Sequence, residues 1–324
     1  VLEEQILHFC LKNIKKNIFI ALIFSFLIFV LYSLNLFYFK DIKNNEYIHI
    51  FKGVSLSNIS KIILNNNSIL DIYLYTIYLN FYNKYFDKIK YGEFYFSDNN
   101  NLIEVTSIIS KPSNVFYKLT VIEGWEEYQL KKYFEDNFNE DVNIEYNQIL
   151  ADTYRYSSTD DTDKILDLMI KTKNDYFEIQ KNNPILNLYS IDEIITIGSL
   201  VEKEGIDLYD KRLISSVIFN RLKKNMKLQI DATTIFSITR GKYKFDRKLT
   251  YKDLKKIDPY NTYIIKGLPP KPISYVGIKT IDIVLENYKS DYLFYFFNDG
   301  LNKHIFSKTF EEHNSKLIKY RNEQ

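Results

Sequence analysis

The chain has 324 residues and sets 43 Lys and Arg against 41 Asp and Glu, a net charge of +2, which argues against a nucleic-acid binder with its usual basic excess. Apolar residues make up 46% and aromatic residues 16%, enough for a sizeable core, so disordered and collagen-like chains are excluded. The single cysteine, Cys10, excludes a disulfide framework, an iron–sulfur cluster and a thiolate zinc site. The four histidines, His8, His49, His304 and His313, lack the close spacing of metal ligands, so neither a metal site nor a cofactor is implied. Abundant Lys, Asn, Ile, Tyr and Phe match AT-rich codon usage, and aromatic content alone is therefore no binding signal.

Ile18 to Phe39 is a stretch of 22 residues without a charge, long enough at about 1.5 Å per residue to cross a hydrocarbon layer of about 30 Å. A cleaved signal peptide would need a shorter apolar region and small residues at its end, whereas bulky side chains fill this one. An uncleaved single-pass anchor is therefore expected over residues 18–39. Lys12, Lys15 and Lys16 before it, against Lys40 and Lys43 after it, favour a cytoplasmic N-terminus (residues 1–17). The remainder has no thiol, which suits an oxidising exterior or periplasm.

Beyond a short linker at Asp41 to Asn45, the pattern predicts a strand at Tyr47 to Phe51, then a helix capped by Ser55 with Ile59, Ile62 and Ile63 on one face. A Tyr-rich helix at Leu70 to Phe86, a strand at Gly92 to Phe96 and a helix at Asn101 to Ser110 complete a small mixed unit. A strand at Phe116 to Ile122 and a helix at Glu127 to Phe138 follow. Four of the six prolines and six of the nine glycines lie beyond residue 197, so special backbone geometry, and with it chemistry, is expected there.

Ser190-Ile191-Asp192-Glu193 reads as a capping box opening a helix. At 100° per residue its apolar arc runs from Ile197 through Val201, Ile194 and Ile191 to Ile195. Glu202 lies inside that arc, while Glu204 falls outside it, near Glu193. A carboxyl group on an apolar face loses hydration, which raises its pKa toward that of a general acid. On periodicity alone, a Glu paired with a buried Arg or Lys is the commoner explanation. A helix at Tyr209 to Lys224 is interrupted on its core side by Asn220 and Arg221. Met226 to Thr233 alternates as an extended segment with Gln229, Asp231 and Thr233 on one face, able to grip sugar hydroxyls or to face solvent. Tyr260-Asn261-Thr262-Tyr263 and Gly267-Leu268-Pro269-Pro270 read as a rigid loop, and strands at Tyr292 to Asn298 and His304 to Phe306 close the domain. No G-x-S-x-G elbow, Walker loop, G-x-G-x-x-G or H-E-x-x-H is present.

Six ordered blocks carry a family resemblance. They are Val201-Glu202-Lys203-Glu204, Phe219-Asn220-Arg221-Leu222, Met226 with Leu228-Gln229 and Asp231, Tyr260 to Tyr263, Gly267-Leu268-Pro269-Pro270-Lys271-Pro272-Ile273, and His304-Ile305-Phe306. Together they resemble the MltG (YceG-like) endolytic murein transglycosylases. Phe51-Lys52-Gly53 with Ser55, Gly92 to Phe96, Ile122-Glu123-Gly124-Trp125 and Ala151 to Tyr156 look like further landmarks of that family. Ala151 and Ala232 stand where the family usually has Pro, and Ile230 where it usually has Thr. The resemblance implies an α+β architecture: the anchor, a LysM-like subdomain at residues 45–118 and a YceG-like catalytic domain at 119–324.

It also implies a lyase of the inner membrane, with its catalytic part in the periplasm. Such an enzyme cleaves the MurNAc-GlcNAc bond of nascent peptidoglycan strands, leaves 1,6-anhydro ends and ends strand elongation, with peptidoglycan synthases as partners and no nucleic acid. The family's catalytic glutamate maps to Glu202, with Gln229, Asp231, Thr233, Tyr260, Asn261, Thr262 and His304 as substrate-binding residues. A non-catalytic glycan-binding anchor and a scaffold of the synthesis machinery are the readings from other classes.

Overall fold

The computed structural model describes residues 2–40, 42, 47–65, 67–97 and 100–322, with side chains from residue 12 onward. Most of the linker expected at Asp41 to Asn45 lies outside the described residues. The architecture is mixed α+β. In chain order the elements are α1 (Leu2–Leu34), ending in a π-helical turn at Asn35–Phe39, β1 (Ile48–Ile50), α2 (Leu56–Ile63), α3 (Ile69–Tyr85), β2 (Gly92–Phe94), α4 (Leu102–Ile109), β3 (Phe116–Thr120), α5 (Glu127–Phe138) and β4 (Thr153–Ser157). Then come α6 (Thr162–Ile179), a 3₁₀ turn at Pro184–Asn187, α7 (Ile191–Glu204), α8 (Leu208–Lys223), α9 (Asp231–Thr239), α10 (Tyr251–Leu254), α11 (Ile278–Glu286), β5 (Phe294–Asn298), β6 (Lys303–Ser307) and α12 (Phe310–Asn322).

The chain divides into two compact units, Val1–Tyr117 with Tyr156–Asp160, and Lys118–Arg155 with Asp161–Gln324. In the first, Lys12–Phe39 is long and apolar enough to cross a membrane, with a mean hydropathy of 2.4, and its most apolar 18-residue stretch is not buried in protein. It fits a single-pass anchor. The rest of this unit follows the order β1-α2-α3-β2, with β1 and β2 antiparallel and Ile48 opposite Phe94. Short N-terminal signals set its helices. The Ser55 hydroxyl accepts from the Asn58 amide, and Ser68 does the same for Asp71. Asn101 and Glu104 form a capping box at the start of α4. Ile48, Ile50, Ile59, Ile63, Tyr75, Leu79, Phe94 and Val105 share one core, which Leu36 from the π-helical turn joins.

The second unit is built around α7. The expected capping box forms: the Ser190 amide donates to Glu193 Oε2 at 2.8 Å, and the Glu193 amide to the Ser190 hydroxyl at 3.3 Å. Every residue from Ile194 to Val201 is buried, because α8, α9 and α11 pack around the helix. A single apolar arc therefore understates its surroundings, and Ile191, placed on that arc by periodicity, is exposed. Gly198 lets α11 close on α7, since a Cβ there would stand 2.9 Å from the Ile281 side chain and 3.0 Å from that of Val276.

Two landmark segments interlock behind α7. The Gly124 amide donates to the Tyr275 carbonyl and the Tyr275 amide to the Trp125 carbonyl, each at 2.9 Å. The Ala151 amide donates to the Val276 carbonyl at 2.7 Å. In the C-terminal hairpin, β5 and β6 pair antiparallel, with Tyr295 opposite Phe306 and Phe297 opposite His304.

One expected element is overturned. Met226 to Thr233 does not run as one extended segment, because Asp231 opens α9. The Thr233 hydroxyl donates back to the Ile230 carbonyl at 2.6 Å and is fully buried. Thr233 therefore shares no polar face with Gln229 and Asp231, which removes it as a sugar contact.

Candidate active site

α7 ends with two carboxyl groups two residues apart, about 200° around the helix axis, so they enter different surroundings. The Glu202 side chain, 4% exposed, lies among α7, α8 and α11 and is ion-paired to Lys211, itself 9% exposed. The Lys211 ammonium also donates to the Thr280 hydroxyl at 3.0 Å and stands 3.7 Å from Glu123. The Gly277 amide donates to the other Glu202 oxygen at 3.3 Å. Gly205 gives Lys211 the room to reach its partner, since a Cβ there would come within 2.3 Å of the lysine Cγ. Both charges are closed inside protein, so Glu202 occupies the paired state that periodicity also admitted.

Glu204 opens instead onto a cleft of about 520 Å³ that Arg221, Gln229, Asp231, Tyr263, Tyr295 and His304 also line. Burial pushes its carboxyl up from 4.5 to about 7, and the nearby Asp231 charge adds to the effect. His304, a hydrogen bond from the Tyr295 hydroxyl at 3.3 Å and the Ala232 amide act in the opposite direction. A carboxylic acid in this range holds a transferable proton near neutral pH and can take one back after giving it up.

The remaining polar groups of the cleft are held by the second half of the unit. His304 Nδ1 bonds Asp210 Oδ2 at 2.8 Å, which fixes the ring and leaves Nε2 as the nitrogen free of that bond. Asp210 in turn accepts from the Ile206 amide at 3.1 Å. Asp231 accepts from the Tyr263 hydroxyl at 2.6 Å. Arg221, which interrupts the apolar face of α8, donates to the carbonyls of Leu293 at 2.6 Å and Leu228 at 2.7 Å and reaches Gln229 Oε1 at 3.4 Å. Asn220 grips the carbonyls of Ser290 and Tyr292, at 2.8 and 2.9 Å. These two residues thus fasten α8 to the approach of β5 and to the segment carrying Gln229.

Of the expected binding residues, the cleft brings together Gln229, Asp231 and His304. Asn261 and Thr262 are fully buried and spent on the fold. The Asn261 amide donates to the carbonyls of Leu254 and Lys256, and its oxygen accepts from the Thr234 hydroxyl and the Tyr263 amide. The Thr262 hydroxyl accepts from the Ile230 amide and pairs with Thr233. Tyr260 packs on Phe236 and under the Arg240 guanidinium, away from the cleft lining. The proline loop from Gly267 to Pro272 does not line the cleft either. The sequence reading sets Glu204 outside the apolar arc and gives Tyr263 and Tyr295 no role of their own, although Glu204 and Tyr263 stand in the family blocks and Tyr295 in an expected strand.

Residues 48–319 match the YceG-like family. The chain is 39% identical over 199 residues to the endolytic murein transglycosylase of Bacillus subtilis (strain 168), an alignment covering 59% of this chain and 54% of that protein. It is 28% identical over 165 residues to the endolytic murein transglycosylase of Streptococcus pneumoniae serotype 2, covering 49% of this chain and 28% of that one. It thus spans about half, or less, of the curated relatives it matches. A crystal structure of a putative yceG-like protein from Listeria monocytogenes superposes with a TM-score of 0.52 at 28% identity, covering 84% of this chain and 99% of that one. With the family match running through both units, the chain belongs to the YceG-like family.

Proposed function

We propose that the protein is a membrane-anchored lytic transglycosylase acting on peptidoglycan glycan strands, with Glu204 rather than Glu202 as its acid and base. The observation that carries this reading is that Glu204 is raised to about 7 in a polar cleft, in a chain whose relatives are named endolytic murein transglycosylases. Protonated Glu204 gives its proton to the oxygen joining MurNAc C1 to GlcNAc as that C1–O bond breaks. Positive charge develops at C1, where the negative field of Asp231 stabilises it. The carboxylate left on Glu204 then takes the proton of the MurNAc C6 hydroxyl, whose oxygen bonds C1 and closes the 1,6-anhydro ring. Because the nucleophile belongs to the substrate, one carboxyl serves both halves, unlike the carboxylate pair of ordinary glycosidases.

Gln229 and His304 contact the sugars, and Tyr295 hydrogen-bonds the Glu204 carboxyl. The β1-α2-α3-β2 order of the first unit supports a LysM-like, glycan-holding role for residues 45–118. A cytoplasmic N-terminus, an inner-membrane site, action on nascent strands near the synthases and a role in ending elongation follow as parts of the same proposal. Incubating the full chain with purified peptidoglycan and analysing the products by mass spectrometry tests the activity. Anhydro-MurNAc ends are expected from the wild type, and their absence would favour a non-catalytic glycan-binding anchor.

A further inference from the structure

α3 buries one side and leaves the other bare. Asp71, Tyr75 and Leu79 point into the core of the first unit. Ile69, Tyr73, Ile77, Phe81 and Tyr85, at steps of four, form an exposed ridge that Leu70 and Phe86 widen. Ile69 is 87% and Tyr73 64% exposed. No charged residue interrupts the exposed side from Ile69 to Asn83, and Lys84, Lys88 and Lys90 follow at its far end. A continuous apolar ridge of this length on a soluble domain marks a contact surface.

The location of α3 identifies the contact. Its first half packs against the last turns of the membrane-spanning segment. The Asp71 carboxylate is hydrogen-bonded by the Tyr32 hydroxyl and ion-paired with Lys40 at 2.9 Å. The Phe37 ring lies 5.0 Å from that of Tyr78 and 6.4 Å from that of Tyr75. Tyr32 to Phe39 are the final eight residues of the uncharged stretch, roughly 12 Å of helix at 1.5 Å per residue, within a hydrocarbon layer of about 30 Å. A helix fastened at Tyr32 and Phe37 shares their depth, and its opposite side meets whatever surrounds the span there.

We infer that α3 is an interfacial helix whose Ile69–Tyr85 ridge lies in the outer edge of the same bilayer that α1 crosses. The mixed Tyr, Phe and Ile composition suits the headgroup boundary, where aromatic rings present an apolar body and a polar tip, and the trailing lysines suit anionic headgroups. The first unit would then be held against the membrane by two elements, which restrains its swing about the end of α1. The inference rests on α1 as a span and is independent of the catalytic assignment.

The test uses the full chain in liposomes of phosphatidylethanolamine and phosphatidylglycerol, on a Cys10→Ser background. Single nitroxide labels at Tyr73→Cys, Ile77→Cys and Phe81→Cys are compared by collision with oxygen, which partitions into lipid, and with a water-soluble nickel chelate. Phe29→Cys within α1 and the exposed Ile257→Cys of the second unit are the references. Oxygen-to-nickel ratios at the three α3 sites well above that at Ile257, and below that at Phe29, are expected. Ratios equal to that at Ile257 while Phe29 stays oxygen-rich would place α3 in water and overturn the inference. Low collision with both reagents would mean that protein, such as a second copy, covers the ridge, and would overturn it too. A nickel-rich Phe29 would remove the span and the inference together. Peptidoglycan cleavage by the same labelled chains reports on the catalytic proposal separately.

Discussion

Glu202 and Glu204 leave the last turn of α7 for different surroundings: Glu202 is locked in an ion pair with Lys211, and Glu204 is raised to about 7 at the floor of the cleft. The Val-Glu-Lys-Glu block thus separates a carboxylate held in an ion pair from one that lines the cleft. Each of the two has its own experimental signature.

Removing the Glu202 charge leaves the buried Lys211 with only the half-exposed Glu123 carboxylate, 3.7 Å away. Breaking a buried pair from one side costs about 3 kcal/mol or more, because the remaining ion stays desolvated. Glu202→Gln is therefore expected to lower stability by about that amount in urea denaturation, and Glu202→Leu combined with Lys211→Met to recover much of it. Additive losses in the double variant would contradict a paired role.

Glu204 gives the opposite result, with a size that depends on pH. Its folded-state pKa, about 7, lies above its ordinary value of 4.5, so it favours the folded state fully below pH 4.5, and that contribution is lost as pH rises through 7. Above that, the folded chain confines a charge that the unfolded chain hydrates. Glu204→Gln should therefore be more stable than wild type at pH 8, by roughly 3 kcal/mol, and the difference should close toward pH 4.5. Thermal melts across that range check it.

The neighbours of Glu204 should move its titration in opposite directions. Asp231→Asn removes a negative charge that holds the proton on, so the Glu204 pKa falls. His304→Gln removes a group that favours the ionised form, so it rises. Carboxyl-carbon NMR reads both shifts without substrate, and the basic limb of the pH–rate profile for glycan cleavage should follow them.

Asn261 is expected to behave as a residue of the fold. Asn261→Ala leaves buried carbonyls, a hydroxyl and an amide without partners, at a cost of roughly 3 kcal/mol in stability. The KM for glycan strands, measured where the variant is folded, should match wild type.

Local chemistry was readable in the sequence and non-local chemistry was not. The caps at Ser55, Asn101 and Ser190 act over three residues, so the helices they begin were found close to their observed starts. Periodicity located Glu202 on an inward face of α7 but could not say what waited there, since Lys211 arrives on the next helix. Periodicity sets Glu204 outside the apolar arc and misses its enclosure, which comes from Tyr295 and His304 on a hairpin about ninety residues further along. The alternation from Gln229 to Thr233 resembled a strand. The back-bonded Thr233 hydroxyl and the chain's entry into α9 decided otherwise. Asn261 and Thr262 carry the residue types of a sugar site, and only their hydrogen-bond partners reveal that Thr262 holds the Gln229–Ile230 segment and that Asn261 ties the Leu254–Lys256 turn to α9 and Tyr263.

The most direct test of the account compares anhydro-muropeptide release from purified peptidoglycan by wild type, Glu204→Gln and Glu202→Gln, normalised to folded protein at a temperature where all three are native. General acid–base catalysis contributes about 10²- to 10⁴-fold, and a single group serving both steps places the expected loss for Glu204→Gln at the upper end, with Glu202→Gln within a few-fold of wild type. Near wild-type release by Glu204→Gln, together with loss of release by folded Glu202→Gln, would contradict the assignment.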